Sequence, residues 1–387
     1  MPGEERPSTV LALATGGNFA QLGARLLLSP LVPAIMASFE VSKSSVGLVL
    51  TGLWAVYAIF QYPGGTLGDM FDERRMLIVS LVLTTAVMGL LAASPSFLVF
   101  GLFALLLGAG TGLYFPVASS LLTRHFEGTG QALSVMTAGG AIAGAIYPAL
   151  GGVLVVLVGW RTTVLLGGAV ALPVIALAVF ATSSPGDSAD ATTEWLSVQE
   201  MVGIIRRPGV PVTIGLAVLF GFTWQGIASF FPTFLYEYWQ VSETVAGVAF
   251  GAFYLLSAVA QPAAGRLSDA VGRDLALFAS GVLTAGGLSV LLTGESRLVL
   301  LLGVVALGTG VTWPGVVQAR IMDHFGTGER GQGFGFVRAI YMLLASLGSV
   351  TVGTLADVAG WPVAYGSVVG LLSVAIVFIA GSRFREA

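Results

Sequence analysis

Gly65-Thr-Leu-Gly-Asp69-Met-Phe-Asp72-Glu-Arg74-Arg75 is matched two hundred residues later by Gly265-Arg-Leu-Ser-Asp269-Ala-Val-Gly272-Arg273. Both stretches carry the frame Gly-x-Leu-x-Asp. The same offset holds on either side of it. Val41-Ser42 returns as Val241-Ser242, Gly47 as Gly247, Ala58 as Ala258 and Gln61 as Gln261. Gly108-x-Gly110 returns as Gly308-x-Gly310, and no gap is needed from position 41 to position 110. The chain is therefore two copies of one unit, running in the same direction.

Both copies are apolar. Of 387 residues, 56% are hydrophobic and 10% charged, whereas a soluble domain carries about 25% charged residues. Such a chain cannot cover itself with polar surface, so lipid must be its solvent. The first apolar run is too long for a cleavable signal peptide and lacks a small-residue cleavage site. There are no cysteines, which excludes a disulfide framework and thiolate metal sites. A net charge of −3 gives no reason to expect a nucleic-acid partner. No cofactor, metal or enzymatic activity is expected. The expected partners are the lipid bilayer and a small-molecule substrate, with the chain as a monomer.

A membrane span needs roughly 20 apolar residues. Twelve such stretches occur, near 10–38, 45–68, 76–94, 97–122, 131–158, 162–182, 210–236, 244–267, 275–293, 298–320, 332–357 and 361–382; they are called spans 1 to 12 below. The reading is an all-α membrane protein with two pseudo-symmetric six-helix halves, 1–182 and 210–387. Between them lies a linker, 183–209, in which Trp195, Val198, Met201, Val202 and Ile205 share one helical face. That stretch is expected to form an amphipathic helix on the membrane surface. Orientation follows from the basic residues. With both termini cytoplasmic, twelve fall inside (Arg6, Arg74, Arg75, Arg124, Arg206, Arg207, Arg266, Arg273, Arg320, Arg330, Arg383, Arg385) and three outside (Lys43, Arg161, Arg297). The expected location is the cell membrane, multi-pass. Parallel apolar repeats of this kind are the organisation of rocking-type secondary transporters, with substrate bound near the midplane between the halves.

The two loops quoted first resemble the cytoplasmic signature of the major facilitator superfamily, Gly-x-x-x-Asp-Arg-x-Gly-Arg-Arg. The departures are Met70 and Ala270 in place of the Arg, and Asp72 in place of the loop Gly. The resemblance implies a major facilitator fold in which the Asp of each loop meets the start of a helix in the other half. An Asp there accepts hydrogen bonds at the positive end of that helix. The implied gate residues are Gly65, Asp69, Gly265, Asp269, Arg273 and Arg338. Arg338 lies about two turns into span 11. It is expected either to pair with Asp69 or to contact substrate.

Arg25 lies near the middle of span 1, and Asn18, Gln21 and Arg25 are spaced i, i+3, i+7 on one face. No Asp or Glu lies in the middle of any span. A charge at that depth is costly without a partner, so an anionic substrate held by the guanidinium is one reading. A structural Arg held by backbone carbonyls is the other. At the same offset Arg25 falls opposite Gln225, next to Trp224. Tyr114, Tyr147, Tyr254, Trp313 and Tyr341 are further candidate lining residues. Arg25-Leu-Leu-Leu-Ser29-Pro-Leu-Val-Pro33, with Gly108-x-Gly110 and Phe115-Pro116, resembles the anion:cation symporters. That resemblance implies a carboxylate or sugar acid as substrate. Their helix-1 Asp is Ala24 here, and their helix-4 Arg and Glu are Ala104 and Thr111. The expected function is therefore transport of a small organic anion by alternating access, as uniport, symport or antiport. The alternative is multidrug efflux of lipophilic compounds, and a sensor subunit that keeps the fold is a third. A water-filled cavity at Arg25 favours the anion, and an Arg25 shielded by protein favours the alternative.

Overall fold

The computed structural model describes residues 7–70, 72–126, 129–180, 197–325 and 330–386, of which 62–70, 129–130, 198, 330–332 and 382–386 are described by backbone alone. Among these residues every regular element is a helix. Span 1 is α1 (Pro7–Leu26) and α2 (Leu28–Phe39). Spans 2 to 4 are α3 (Lys43–Met70), α4 (Glu73–Ala92) and α5 (Phe97–His125). Spans 5 and 6 are α6 (Thr129–Ala169) and α7 (Leu172–Phe180), and the linker holds α8 (Val198–Ile205). The second half follows with α9 (Val210–Tyr238), α10 (Glu243–Val271) and α11 (Arg273–Thr293) as spans 7 to 9. Span 10 is α12 (Arg297–Gly310) and α13 (Trp313–Met322), span 11 is α14 (Arg330–Ala345) and α15 (Leu347–Ala359), and span 12 is α16 (Trp361–Glu386).

Eleven helical stretches are long and apolar enough to cross a membrane. One of them, Gln131–Phe180, has 50 residues, too many for one crossing at 1.5 Å per residue. Gly159 breaks it, with φ 78° and ψ 161°. The eleven stretches are thus twelve spans. Lipid as solvent is visible in the side chains left outside: Leu98, Leu157, Val259 and Val377 are 75%, 70%, 71% and 69% exposed.

Three spans read as single helices in the sequence are interrupted in the structure. The backbone leaves the helical region at Val311, while Leu27 and Ser346 keep helical dihedrals and only the regular hydrogen bonding lapses. A proline ring clashes with the carbonyl four residues earlier. Pro30 does this to Leu26, and α1 ends there. Pro314 does it to Gly310, and α12 ends there. The freed Val311 carbonyl accepts a hydrogen bond of 2.6 Å from Ser257 Oγ. Span 11 is interrupted at Ser346, where the Thr51 hydroxyl accepts from the Val350 N–H and donates to the Ser346 carbonyl, taking the place of their helix hydrogen bond.

The repeat survives in the packing. Ser80 Oγ donates to the Gly110 carbonyl at 2.7 Å, and Ser280 Oγ to the Gly310 carbonyl at 2.6 Å. Ser96 caps α5 and Ser296 caps α12. Gly108 lies against the Leu53 carbonyl and Gly308 against the Phe253 carbonyl. Between the halves the pairing is crossed. Gly47 of α3 lies against Ser349 of α15, and Gly247 of α10 lies against Pro148 and Gly152 of α6. Ser29 Oγ donates to the Ser229 carbonyl at 3.1 Å, joining the two first spans of the halves.

The halves are fastened at the end that holds Lys43. Asp357 accepts from the Lys43 and Ser44 backbone N–H groups at 3.2 and 2.7 Å, and from the Ser44 hydroxyl. Lys43 Nζ stands 3.1 Å from Glu237 and 3.6 Å from Asp357. The Trp361 indole donates to Glu237 at 3.0 Å. Deeper in, Thr51 donates to the Ser346 carbonyl and accepts from the Val350 N–H, both at 3.0 Å. At the opposite end the ion pairs among the described residues run within a half: Arg273 with Asp269 and Asp323, Arg320 with Asp274, and Arg124 with Glu73.

In the linker, Ser197 and Glu200 form a capping box at the start of α8. Ile204 is buried, while Val202 and Ile205 are 39% and 38% exposed. Of the face read from the sequence, Met201, Val202 and Ile205 have described side chains. Trp195 and the Val198 side chain lie outside the described residues.

Candidate functional site

Arg25 is the last charged residue of α1 before the interruption at Leu27. Its side chain is 7% exposed. The guanidinium lies against two rings of α3, with Cζ 3.7 Å from the Tyr57 centroid and 4.6 Å from the Trp54 centroid. Nε reaches the Gln21 carbonyl at 3.4 Å. Nη1 is buried without a hydrogen-bond partner. Among the described residues no carboxylate forms an ion pair with it. Stacking on aromatic faces offsets part of the cost of a buried cation, but the unpartnered N–H groups remain.

The second half brings its own polar atoms to this place. Trp224 meets Trp54 edge to face, with centroids 5.3 Å apart. Tyr254 is within electrostatic reach of Arg25, and its hydroxyl is buried without a partner. Gln225 Oε1, next to Trp224 in sequence, is likewise buried without a partner. Arg338 of α14 has its Cζ 4.8 Å from the Phe115 centroid and 5.8 Å from that of Phe334. Its Nε is buried without a partner. Tyr341, one turn on, is buried and meets Trp313 at 6.5 Å, and Trp313 stacks on Phe220 at 6.1 Å.

Four of the residues read as candidate ligands have their polar atoms engaged within the protein. Gln21 Nε2 donates to Ser80 Oγ at 2.9 Å, and its Oε1 accepts from Thr84 at 2.7 Å. Asn18 donates to the Met136 carbonyl at 2.8 Å. Tyr114 donates to the Leu13 carbonyl at 2.7 Å. Tyr147 donates to the Gly167 carbonyl at 3.2 Å and packs on Phe19. The polar face of span 1 is thus shared out: Gln21 to span 3, Asn18 to span 5, Arg25 to the aromatics of span 2.

Of the gate residues, the Gly65 and Asp69 side-chain positions lie outside the described residues, though both belong to α3. The Asp269 side chain is 74% exposed and pairs with Arg273 of its own half. A Cβ added at Gly265 would meet nothing within 4 Å. Among the described residues nothing closes on Gly265.

Sequence reading passed over Trp54 and Tyr57, the two rings that cover Arg25. A signal existed for one of them. Trp54 stands at the repeat offset from Tyr254, which was a candidate. Tyr57 falls opposite Ser257, and nothing in its immediate sequence separates it from a packing aromatic.

Known proteins resemble this chain at three levels. The sequence profile of the Major Facilitator Superfamily matches residues 13–238 and 213–387. Over 183 residues the chain is 28% identical to the cephamycin export protein of Amycolatopsis lactamdurans, covering 46% of this chain and 37% of that protein. Over 175 residues it is 29% identical to a probable sulfoacetate transporter of Cupriavidus necator, covering 44% and 41%. The matched stretches therefore span about two fifths of the length of these relatives. In fold, the chain is similar to a bacterial homologue of the human lysosomal transporter Spinster in an inward-facing, occupied conformation. The TM-score is 0.83 at 16% identity, over 98% of either chain. A profile match over nearly the whole length, on a twelve-span fold whose halves repeat several of each other's contacts, means that the chain belongs to the Major Facilitator Superfamily.

Proposed function

We propose that the protein carries a small organic anion across the cell membrane by alternating access, with Arg25 as the residue that binds its charge. The observation that carries this reading is the buried Arg25 guanidinium, whose Nη1 has no partner and which forms no described ion pair. A buried cation needs a counter-charge, and a carboxylate matches the planar fork. The sulfoacetate relative and the Arg25-to-Pro33 resemblance to the anion:cation symporters support the same substrate class. Ala24 and Thr111, where those symporters have acids, fit a carrier without an embedded coupling carboxylate. The coupling is then uniport, exchange, or co-transport of a proton on the substrate.

The arginine distribution places the termini in the cytoplasm and the Lys43 end outside. On that orientation the fastened end is the outer one, and the state described is inward-facing. The exposed Asp269 fits this state, because a cytoplasmic staple is released when that side opens. Asp69 and Arg338 are assigned to the same staple, to be joined when the inner side closes.

The test is uptake by purified protein in proteoliposomes, scored against a panel of carboxylates and sugar acids. Arg25→Ala abolishes anion uptake in a folded protein, and Arg25→Lys weakens it by losing the planar fork. Normal uptake by Arg25→Ala overturns the reading. One observation favours a second reading, efflux of lipophilic compounds: Arg25 is only 7% exposed and shielded by Trp54 and Tyr57. That reading expects dye efflux that survives Arg25→Ala and fails on Trp54→Ala.

A further inference from the structure

Two guanidiniums, one from each half, rest on rings of the packed pair of spans 2 and 4. Arg25 reaches it from span 1 and rests on Tyr57 of span 2. Arg338 reaches it from span 11 and rests on Phe115 of span 4, across the boundary between the halves. Tyr57 and Phe115 stand on spans 2 and 4, which pack against each other. A Cβ added at Gly112, one turn before Phe115, would stand 2.6 Å from the Tyr57 carbonyl and 2.9 Å from Phe60. Each guanidinium keeps a buried nitrogen without a partner, Nη1 of Arg25 and Nε of Arg338. The two charges also feel one another, since each is within electrostatic reach of the other and of Tyr57.

Two like charges on this pair of spans repel, and one carboxylate neutralises only one of them. Bound there, a monoanion leaves a buried positive charge with no opposing group, which low dielectric makes costly. A dianion leaves none. It also contacts both halves at once, so its binding favours the arrangement in which the two arginines approach. We propose that the substrate is a dianion, with one negative group on Arg25 and the second on Arg338. This rests on the organic-anion reading of Arg25 and adds the charge that the substrate must carry. It makes Arg338 a specificity-determining residue, which selects by charge number. When the inner side closes without substrate, Arg338 is free to pair with Asp69 instead.

The experiment compares dicarboxylates with their half-amides, which keep the skeleton and lose one charge. The probes are malonate and malonamate, succinate and succinamate, glutarate and glutaramate. All carboxyls are ionised at pH 7.5. Binding to the full chain in lipid nanodiscs is measured by calorimetry at constant ionic strength. At least one dianion is expected to bind about tenfold or more tightly than its half-amide, the scale of a close buried charge pair. Arg338→Gln is expected to bring that ratio to within about twofold while half-amide binding persists. Arg338→Lys keeps the charge and therefore the preference, which separates loss of charge from loss of fold. Arg25→Gln is expected to lose both members of each pair. Equal binding of dianion and half-amide by the unaltered protein overturns the inference and leaves the organic-anion reading standing. So does a ratio unchanged in Arg338→Gln, which assigns Arg338 to Asp69 alone. Binding of no carboxylate at all overturns both.

Discussion

Arg25 and Gln21 stand one turn apart on the same face of α1, yet they have opposite fates. Gln21 has both polar ends engaged by Ser80 and Thr84. Arg25 has a nitrogen left over. A neutral amide finds what it needs from two hydroxyls, whereas a cation needs an anion, and the described neighbours of Arg25 are two rings, the Tyr57 hydroxyl and the carbonyl of Gln21. A different residue carries the pH dependence. His324, just past the end of span 10, accepts or donates at Nε2 to Thr213 Oγ1 over 2.9 Å. Its ring fills the space beside Gly209, where an added Cβ would stand 2.6 Å from Cε1. Burial, and after it the Arg320 charge, hold its imidazole below the usual value. The folded protein then binds a proton less readily than the unfolded chain does. Stability from this group is complete above the unfolded value of about 6.5 and falls as pH drops below it, until the folded imidazole is itself protonated. His324→Gln is expected to flatten this acid limb in a thermal melt of detergent-solubilised protein between pH 7.5 and 5. An unchanged slope assigns the limb to other groups.

At the scale of elements, one carboxylate fastens the end of one helix to the other half. Asp357 ends α15 and accepts both backbone N–H groups at the start of α3, where the helix dipole is positive. In this region Gly159-Trp160 returns as Gly360-Trp361, so its repeat mate in the first half is Val156, and this fastening has no twin. The corresponding place in the other half is held by Thr244, which donates to the Gly152 carbonyl at 3.1 Å. Asp357→Asn keeps an acceptor and loses the charge that faces both the helix end and Lys43. A loss of roughly 1–2 kcal/mol is expected, which shifts the two states by a factor of about 5 to 30. The chain has no cysteine, so Ser45→Cys introduces a single reporter at that helix start. Its labelling by a membrane-impermeant maleimide should speed up in the Asp357→Asn background. An unchanged labelling rate would show that Asp357 does not hold this end shut.

For the whole molecule, the closed end depends on backbones that approach without side chains between them. A Cβ on Gly247 would stand 2.6 Å from the Pro148 carbonyl oxygen and 2.8 Å from Gly152 Cα. Both contacts are backbone, which cannot swing aside, so the two halves must part there. In lipid, close approach of this kind is what draws helices together. Gly247→Val is therefore expected to lower the melting temperature of the form closed at the Lys43 end, or to move the population toward the other form. Gly215→Val is the control, since a Cβ there meets nothing within 4 Å. Spectroscopic distances between spin labels on the two halves report the shift. If both valines behave alike, backbone contact does not control the closure.

Twelve apolar spans and the repeat of one unit were legible in the chain alone. An offset of two hundred residues is a property of order along the sequence, and apolar length is a property of composition. Both survive any folding, which is why Ser80 and Ser280, or Gly108 and Gly308, make the same contacts in their own halves. The interruptions at Leu27 and Val311 were legible in principle from Pro30 and Pro314, and the one at Ser346 was not, because the Thr51 hydroxyl that enters the helix there belongs to the other half. The site was half legible. Arg25, Gln225, Trp224, Tyr254 and Arg338 stand out by charge, by depth or by the repeat. That Gln21, Asn18, Tyr114 and Tyr147 are engaged with neighbouring helices was decided in three dimensions. So was the cover of Tyr57 and Trp54 over Arg25. Residue spacing determines which way a side chain points from its own helix. What stands opposite it, a serine, a ring or an unmatched charge from the other half, is decided only when the twelve spans pack.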